Sequence, residues 1–497
     1  MFKNYICILK ILLLIIILWI GIIFEIKAQN QDFKRTNHWY FGNGCGLDFS
    51  SGHPVSDTSG KLNCNTNSSI ISDTNGNLLF YTDGITVWSK NHLKMQNGDS
   101  IGVGQFADPR NRCIIVPQPE NDSIYYIFTV DGWQHQYKNG LRYSIVNIKR
   151  QGGLGEVVVK AKQLFKPAAE MLAATKDATG CGYWIVSHSR QSDSFIVYNL
   201  NSYGFDTIPI ISKAGSDFNW AQQYHANGGG RNLIFSPNGQ FAANWVEYGW
   251  FAFHHGFDTL EIFKFNTING VFNDLFKEAL DTTQSGIVFS PNSKLLYQES
   301  GYNQIKIYQY NLTSLNALLI SNSKQRVYTS PQYSIAQDFQ IGVDGKIYSC
   351  VEGNLSGDSL SYILFPDSIG VGCDVHKGGI PLNGRIPTQG LPNFVSNFLA
   401  NDASLNCTPT FIKPNIDSKA LITIYPNPAN DEFMLSSTEI INTIQLVDIL
   451  GRTIQSKNVQ TYQYNFKCLE IPEGVYLLEI MINLNRKIIK KIIIQHN

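Results

Sequence analysis

Six short turn sequences recur along the chain at a nearly constant step, and this periodicity limits the fold more than any other feature. Asp73-Thr74-Asn75-Gly76, Ser236-Pro237-Asn238-Gly239, Ser290-Pro291-Asn292-Ser293 and Gly342-Val343-Asp344-Gly345 place Asn or Asp third and Gly or Ser last. Asp177-Ala178-Thr179-Gly180 is a fifth copy and Gln118-Pro119-Glu120-Asn121 a looser sixth. Pro suits the second place of a type I turn, Asn or Asp bonds its own backbone, and Gly takes the positive φ that often follows. The last positions are separated by roughly fifty residues, the step of a propeller or repeat array.

Strand-like runs flank these turns. Ile70-Ile71, Ile114-Ile115-Val116, Leu233-Ile234-Phe235 and Ile287-Val288-Phe289 precede them. Leu78-Leu79-Phe80-Tyr81, Tyr125-Tyr126-Ile127-Phe128, Tyr183-Trp184-Ile185-Val186 and Leu295-Leu296-Tyr297 follow. Third runs, such as Leu260 to Asn266 and Ile305 to Leu312, alternate apolar and polar residues as half-buried strands do. Three or four strands rich in β-branched and aromatic residues, repeated every fifty residues or so, make a propeller blade. The fold class is therefore all-β, a β-propeller over residues 29–400. The six turns give six blades. His38-Trp39-Tyr40-Phe41 and Leu47-Asp48-Phe49 at one end, with Leu391-Pro392-Asn393-Phe394-Val395 at the other, supply a seventh. An open ring would leave raw sheet edges. Seven blades are thus favoured over six or eight, with N- and C-terminal strands sharing the closing blade.

Lys plus Arg and Asp plus Glu both number 39, which argues against nucleic acid or an anionic membrane as main partner. Aromatics at 12% exclude a mostly disordered chain. Lys3 and Lys10 flank the apolar run of residues 11–24, which has the length of an export signal rather than a membrane span. Cleavage is expected between Ala28 and Gln29, making residues 1–28 a signal peptide. An uncleaved anchor is disfavoured because Glu25 and Lys27 close the run early. Cys7 precedes that run and is not placed to carry a lipid.

The other cysteines show no C-x-x-C spacing, so no zinc knuckle or thioredoxin-type site is signalled. Cys45 and Cys64 are the closest pair and share a loop-rich region, which makes them the candidate disulfide. Cys113, Cys181 and Cys350 lie in or beside apolar runs and read as buried thiols.

Residues 401–420 are polar, hold Pro409 and Pro414, and read as a linker. Residues 421–497 form a compact β unit with strands at 421–425, 432–436, 444–449, 462–466, 475–480 and 487–494, read as a small β-sandwich. Pro426 and Pro428 end its first strand, and Gly451 and Pro472-Glu473-Gly474 mark turns. Tyr425-Pro426-Asn427-Pro428-Ala429, Leu446-Val447-Asp448-Ile449-Leu450-Gly451-Arg452 and Pro472-Glu473-Gly474-Val475-Tyr476 come in that order before a terminal Lys-Ile strand. This set resembles the type A C-terminal sorting domain of type IX secretion. The resemblance implies a sorting motif at Pro426, Asn427, Pro428, Gly451, Arg452, Pro472, Gly474 and Tyr476. It also implies a Gram-negative source, periplasmic passage, an outer-membrane translocon and a sorting protease as partners. The passenger is then released, or attached to surface lipopolysaccharide. The body, through Trp39-Tyr40-Phe41-Gly42-Asn43, Gly46-Leu47-Asp48-Phe49, Gly76 to Gly84 and Ile115-Val116-Pro117, resembles uncharacterised WD-repeat-like propeller proteins that often carry this tail.

Motifs of chemistry are scarce. The chain has no H-E-x-x-H, G-x-S-x-G, P-loop or G-x-G-x-x-G. Asp73 to Asn77 lacks the distal Glu of a calcium loop and reads as a turn. Adjacent strand residues such as His254 and His255 face opposite ways, so they read as solvated. His188, His225, Glu247 and Glu299 follow inner strands and are candidate channel-lining groups, though ordinary hydrogen-bonded residues are the favoured reading. Arg486, Lys487, Lys490 and Lys491 read as a guarded sheet edge. No catalytic residue, cofactor or metal is assigned. The function expected is a secreted or cell-surface binding or adhesion module for an unknown glycan, peptide or protein. Aromatic loops at Tyr248-Gly249-Trp250-Phe251 and Asp131-Gly132-Trp133 suit such a role through carbohydrate stacking, and core packing explains them equally well. The alternative is a secreted hydrolase or lyase with its site in the propeller channel.

Overall fold

The computed structural model describes residues 30–64, 68–102, 113–132, 137–190, 192–205, 208–217, 229–247, 258–280, 284–300, 304–330, 335–352, 357–407, 422–449, 451–482 and 486–496. The chain divides into two units, Met1–Thr408 and Pro409–Asn497.

Among the described residues the first unit holds seven antiparallel sheets. The first is His38–Phe41, Cys45–Asp48 and Val55–Ser56; the second is Ser69–Ser72, Leu78–Thr82 and Val87–Ser89. The third is Cys113–Pro117, Ile124–Val130, Leu141–Asn147 and Glu156–Phe165. The fourth joins Ala168–Lys176, Tyr183–Ser189 and Ser194–Asn201, the last pairing with both Gly204–Phe205 and Ile210–Lys213. The fifth is Gly229–Phe235, Phe241–Glu247, Asp258–Asn266 and Val271–Leu280; the sixth is Gln284–Phe289, Leu295–Ser300, Lys306–Asn311 and Gln325–Thr329. The seventh is Ile335–Ile341, Ile347–Glu352, Ser359–Ile363 and Val375–Pro381. First strands of successive sheets lie side by side, so the unit is a β-propeller.

All six turn sequences close as hydrogen-bonded β-turns. The last residue donates to the first at 3.0 Å for Gly76 and Asp73, 2.8 Å for Gly239 and Ser236, and 2.9 Å for Gly345 and Gly342. Gly76 has φ +96°, which is why glycine suits that place. The sheets then pack face to face. Phe195 of the fourth stacks on Phe272 of the fifth at 4.0 Å, and the Trp184 indole donates to Thr267 O at 2.8 Å.

Residues 391–395 do not join the closing sheet, contrary to expectation. Pro392 makes a single parallel bridge to Ser68, and Asn393 N donates to Ser68 O at 2.8 Å. Proline has no N–H for a ladder, and this segment instead crosses between inner strands. The two ends still meet, but through side chains: Trp39 lies 6.2 Å from the Phe394 ring.

The linker boundary at residue 401 is also corrected. Residues 401–407 belong to the first unit, with a 3-10 turn at Ala403–Leu405 and a disulfide between Cys407 and Cys181, Cα atoms 4.4 Å apart. Asn30 Nδ2 donates to Asn397 O and Ala400 O, and Gln31 N donates to Asn406 Oδ1. Cys181 is therefore bridged and not a thiol. Cys45 and Cys64, expected to pair, are buried and reduced. Cys45 sits opposite Phe41 across a hairpin, while Cys64 N is held on Gly42 O at 3.1 Å. Nearness in sequence does not aim two Cβ atoms at each other, and a bridge needs them about 3.5–4.5 Å apart.

Among the described residues the second unit holds one five-stranded sheet. Ile422–Tyr425, Glu432–Val447, Gly474–Ile482 and Arg486–Ile494 lie in order, and Thr453–Lys467 also pairs with the long second strand. The two strands expected at 432–436 and 444–449 are one element, whose register shifts between Ser436 and Ile441. That bend lets Phe433 and Leu435 share a core with Leu446, Leu478 and Ile492.

Candidate functional site

The propeller axis is occupied by the chain itself. Leu391 N donates to Asp338 Oδ2 at 3.0 Å, and Gln340 Nε2 donates to Pro392 O at 2.6 Å. Ser69 Oγ donates to Asn393 O, while Asn393 Nδ2 reaches Cys113 O at 3.1 Å and Leu172 O at 3.4 Å. Asn397 Oδ1 accepts from Thr175 Oγ1 and Lys176 N, and its Nδ2 donates to Pro237 O at 3.1 Å. Residues 391–399 thus tie together the second, third, fourth, fifth and seventh sheets. Buried backbone groups require such partners, which fixes the segment in place.

Of the candidate channel groups, the two that are described, His188 and Glu299, do not converge there. His188 is buried, its ring edge-on to Phe195 at 4.7 Å, with Nδ1 2.7 Å from Ser189 O. Burial lowers its pKa to about 4, so the imidazole is neutral near pH 7. His225, His254, His255, Trp133, the loop Tyr248-Gly249-Trp250-Phe251 and the Glu247 side chain lie outside the described residues, as does the Ala28–Gln29 junction. Asp131 is buried and accepts from Gly132 N, Asn139 N and Asn139 Nδ2. Asp73 accepts from Asn75 N, Asn77 N and Asn77 Nδ2, as a turn residue does.

Glu299 lines a small cleft between the sixth and seventh sheets. Its strand alternates faces, so Glu299 follows Leu295 and Tyr297 toward the seventh sheet. Ser349 Oγ donates to Glu299 Oε1 at 3.4 Å. The Tyr328 phenol also lines the cleft; burial first, and the Glu299 charge second, push its pKa up. A carboxylate inside an apolar run after Leu295-Leu296-Tyr297 was a visible anomaly. Its partners on other strands carried no sequence signal. Among the described residues no group of three or more His, Cys, Asp or Glu is placed to hold a metal.

In the second unit the expected sorting residues fasten turns and strand ends. Asn427 Nδ2 donates to Lys491 O at 3.1 Å, and Ile493 N donates to Asn427 Oδ1 at 2.9 Å. Ala429, after Pro428, bridges to Ile494. Gly451 has φ +81° and donates to Asp448 O, while Arg452 donates to the Asp448 carboxylate through N at 2.9 Å and Nε at 2.6 Å. Tyr476 Oη donates to Pro472 O at 2.8 Å, and Gly474 opens the strand that pairs with the last one.

These features define a β-propeller followed by a small C-terminal β domain. Residues 423–495 match the secretion system C-terminal sorting domain, so the tail is a type IX sorting domain. It marks the chain for type IX secretion to the cell surface or extracellular space, and for contact with that machinery. No curated protein matches the chain. Among solved structures, PorZ, a bacterial surface component of the type-IX secretion system of Porphyromonas gingivalis, is 12% identical with a TM-score of 0.34. That alignment covers 92% of this chain and 59% of PorZ, so this chain spans less than two thirds of PorZ's length. A functionally unknown protein from Desulfotomaculum acetoxidans is 13% identical over 70% of this chain and 97% of its own, TM-score 0.35. The Cps50 (Swd1) β-propeller domain of Myceliophteria thermophila is 9% identical over 64% and 93%, TM-score 0.37.

Proposed function

We propose that this chain is a type IX cargo of a Gram-negative cell, led into the periplasm by residues 1–28 and displayed or released outside, where the propeller acts as a binding module. The sorting domain at 423–495 supports the export half. The observation that carries the binding half is the occupied axis. Residues 391–399 cross the place where a propeller hydrolase or lyase would gather its acid, base or metal, and their side chains are spent on hydrogen bonds to the surrounding sheets. Ligand contact then falls to the loops at the two faces and to clefts between sheets. The residues Pro426, Asn427, Pro428, Gly451, Arg452, Pro472, Gly474 and Tyr476 keep the tail in the shape that the translocon and sorting protease meet.

The test is fractionation of cells that express the full chain or the chain without residues 421–497. The full chain reaches the surface or medium, and the truncated chain stays in the periplasm as a folded propeller. Export of the truncated form contradicts the sorting assignment. Screening the exported protein against glycan and peptide arrays tests binding. Turnover of a glycan or ester substrate, lost on substitution of a channel residue, contradicts it in favour of the enzyme reading.

A further inference from the structure

We propose that the propeller face carrying the six recurrent turns rests on a lipid surface of neutral headgroups, with apolar tips from four successive sheets dipping into it. This inference rests on the sorting reading, which brings the chain to the cell surface, and names what the propeller meets there. In the fourth to seventh sheets, the connection from the third strand to the next presents large apolar side chains to solvent. Tyr203 is 77% exposed, Ile268 79%, Leu318 68% and Val371 80%. Their exposure is built into the backbone. Tyr203 N donates to Asn201 Oδ1 and Ile268 N to Asn266 Oδ1, both at 2.9 Å, which pins these two tips on tight turns. In the short helix Ala317–Asn322 the buried residue is Ile320, which leaves Leu318 and Leu319 turned outward.

The tips share one face because the recurrent turns hold their connections. Gln118 Nε2 donates to Ser202 O at 3.1 Å, Ala178 N to Thr267 O at 2.9 Å, and Asn292 N to Asp367 Oδ1 at 3.0 Å. Leu312 N, at the root of the helical connection, donates to Lys294 O beside the sixth sheet's turn at 2.9 Å. In an antiparallel sheet the first and third connections leave at the same end, so all four lie on one rim. Within these connections the charged side chains already have partners. Lys324 pairs with Glu278 at 2.8 Å, Asp367 accepts from Asn292 N, and Asp374 meets His376 at 2.9 Å. The occupant follows. The tips stand apart around the rim, so a globular partner would cover one or two of them, while a flat apolar phase covers all. Uncharged aliphatic tips gain by entering hydrocarbon, and tyrosine suits the headgroup level. The chain also leaves the propeller on this face. Cys407, the last described residue of the first unit, is bridged to Cys181. The path toward the sorting domain therefore starts beside the turn whose Ala178 holds the Ile268 connection.

Flotation of the full secreted chain with phosphatidylcholine vesicles is the test. The chain floats with the vesicles, and does so in about 1 M salt as in about 0.1 M, because no ion pair carries the contact. Ile268→Ser, Leu318→Ser and Val371→Ser combined weaken partition by at least about a hundredfold. The melting temperature stays unchanged, since all three side chains are exposed. Should the triple variant not fold, Ile268→Asp alone decides: it sits on an exposed turn and weakens partition by about tenfold or more. A wild-type chain that stays out of the vesicle fraction, or a folded variant that floats as well as wild type, overturns the proposal. Flotation lost in about 1 M salt overturns it in favour of electrostatic adsorption. Failure to float, together with a dimer that the triple variant breaks, assigns the face to a second copy of the chain and overturns the lipid reading. Export without vesicle binding removes this inference alone and leaves the sorting reading standing.

Discussion

Trp39 packs edge-on against Tyr348, ring centroids 5.6 Å apart and planes at 85°. Trp39 belongs to the first sheet and Tyr348 to the seventh, so this contact joins the two ends of the propeller. Both rings are fully buried, and Phe49 and Phe394 complete the cluster around Trp39. Closure therefore rests on aromatic packing, with the Asn393 and Asn397 amides supplying hydrogen bonds across the axis. An edge-to-face pair adds about 0.5–1.5 kcal/mol beyond the area it buries.

Trp39→Ala should consequently cost about 3–5 kcal/mol of stability, the range for emptying a buried aromatic site. Tyr348→Phe should cost far less. It keeps the ring against Trp39 and loses only the bond from Tyr348 Oη to Asp344 Oδ2, 2.7 Å long. Denaturant midpoints of the two variants give the comparison. A Trp39→Ala midpoint equal to wild type would show that closure does not depend on this cluster.

Local chemistry was legible in the sequence and distant chemistry was not. The six turns were readable because each is closed by residues three apart, such as Ser236 and Gly239. The tail was readable for the same reason, since Asp448, Gly451 and Arg452 form one turn. Residues 391–395 look like a strand because Leu, Phe and Val dominate them. Their true partners, Ser68, Cys113 and Leu172, are hundreds of residues away and leave no local mark. Cys181 and Cys407 are likewise 226 residues apart. The Glu299 cleft was half legible. The charge stood out in its strand, but its setting came from Ser349 and Tyr328 on other strands.

Thiol counting should report the cysteine state. Cys45, Cys64, Cys113, Cys350, Cys373 and Cys468 are buried, and burial pushes the Cys45 thiol up to about 12. The folded protein should thus react slowly with an alkylating agent. Unfolded without reductant, the mature chain should label at those six positions and not at Cys181 or Cys407. Mass spectrometry reads the count, and one extra label at Cys7 would show a retained leader. Cys407→Ser should cost about 2–5 kcal/mol, because the bridge anchors the end of the propeller. Labelling of Cys181 in the unreduced wild type would exclude the bridge.

Acid should act on one buried pair. Lys176 Nζ lies 2.7 Å from Asp32 Oδ2 and donates to Leu405 O at 2.8 Å. Burial works to raise the Asp32 pKa, but the Lys176 and Arg35 charges together outweigh it and hold the carboxyl below its ordinary value. A lowered carboxyl adds stability above the unfolded pKa, about 3.9, and loses it as pH falls through the folded value. Asp32→Asn should cost about 3–5 kcal/mol near neutrality, because Lys176 is left buried without its counter-charge. The gap between wild type and variant should narrow below about pH 4, as Asp32 itself takes a proton. Denaturant midpoints at pH 7 and pH 3 measure it. A gap unchanged between the two would mean that Asp32 is not ionised by this pairing.

The Asn427 side chain tests whether the sorting residues act through the last strand. Its Oδ1 accepts from Ile493 N and its Nδ2 donates to Lys491 O, so one amide bonds two backbone groups of Arg486–Ile494. Asn427→Ala removes both bonds, worth about 0.5–1.5 kcal/mol each. Asn427→Asp keeps the acceptor for Ile493 N and loses only the donor. Hydrogen exchange on the full chain separates the two cases. The Ile493 amide should lose protection in Asn427→Ala and keep most of it in Asn427→Asp, while propeller amides stay unchanged in both. Export should follow the same order, Asn427→Ala below Asn427→Asp below wild type, if the translocon reads the shape of the tail. Unchanged protection at Ile493 in Asn427→Ala would show that the Ala429 bridge and the pairing with Gly474–Ile482 hold the strand end without the Asn427 amide. Full protection combined with lost export would show instead that Asn427 is contacted directly by the secretion machinery.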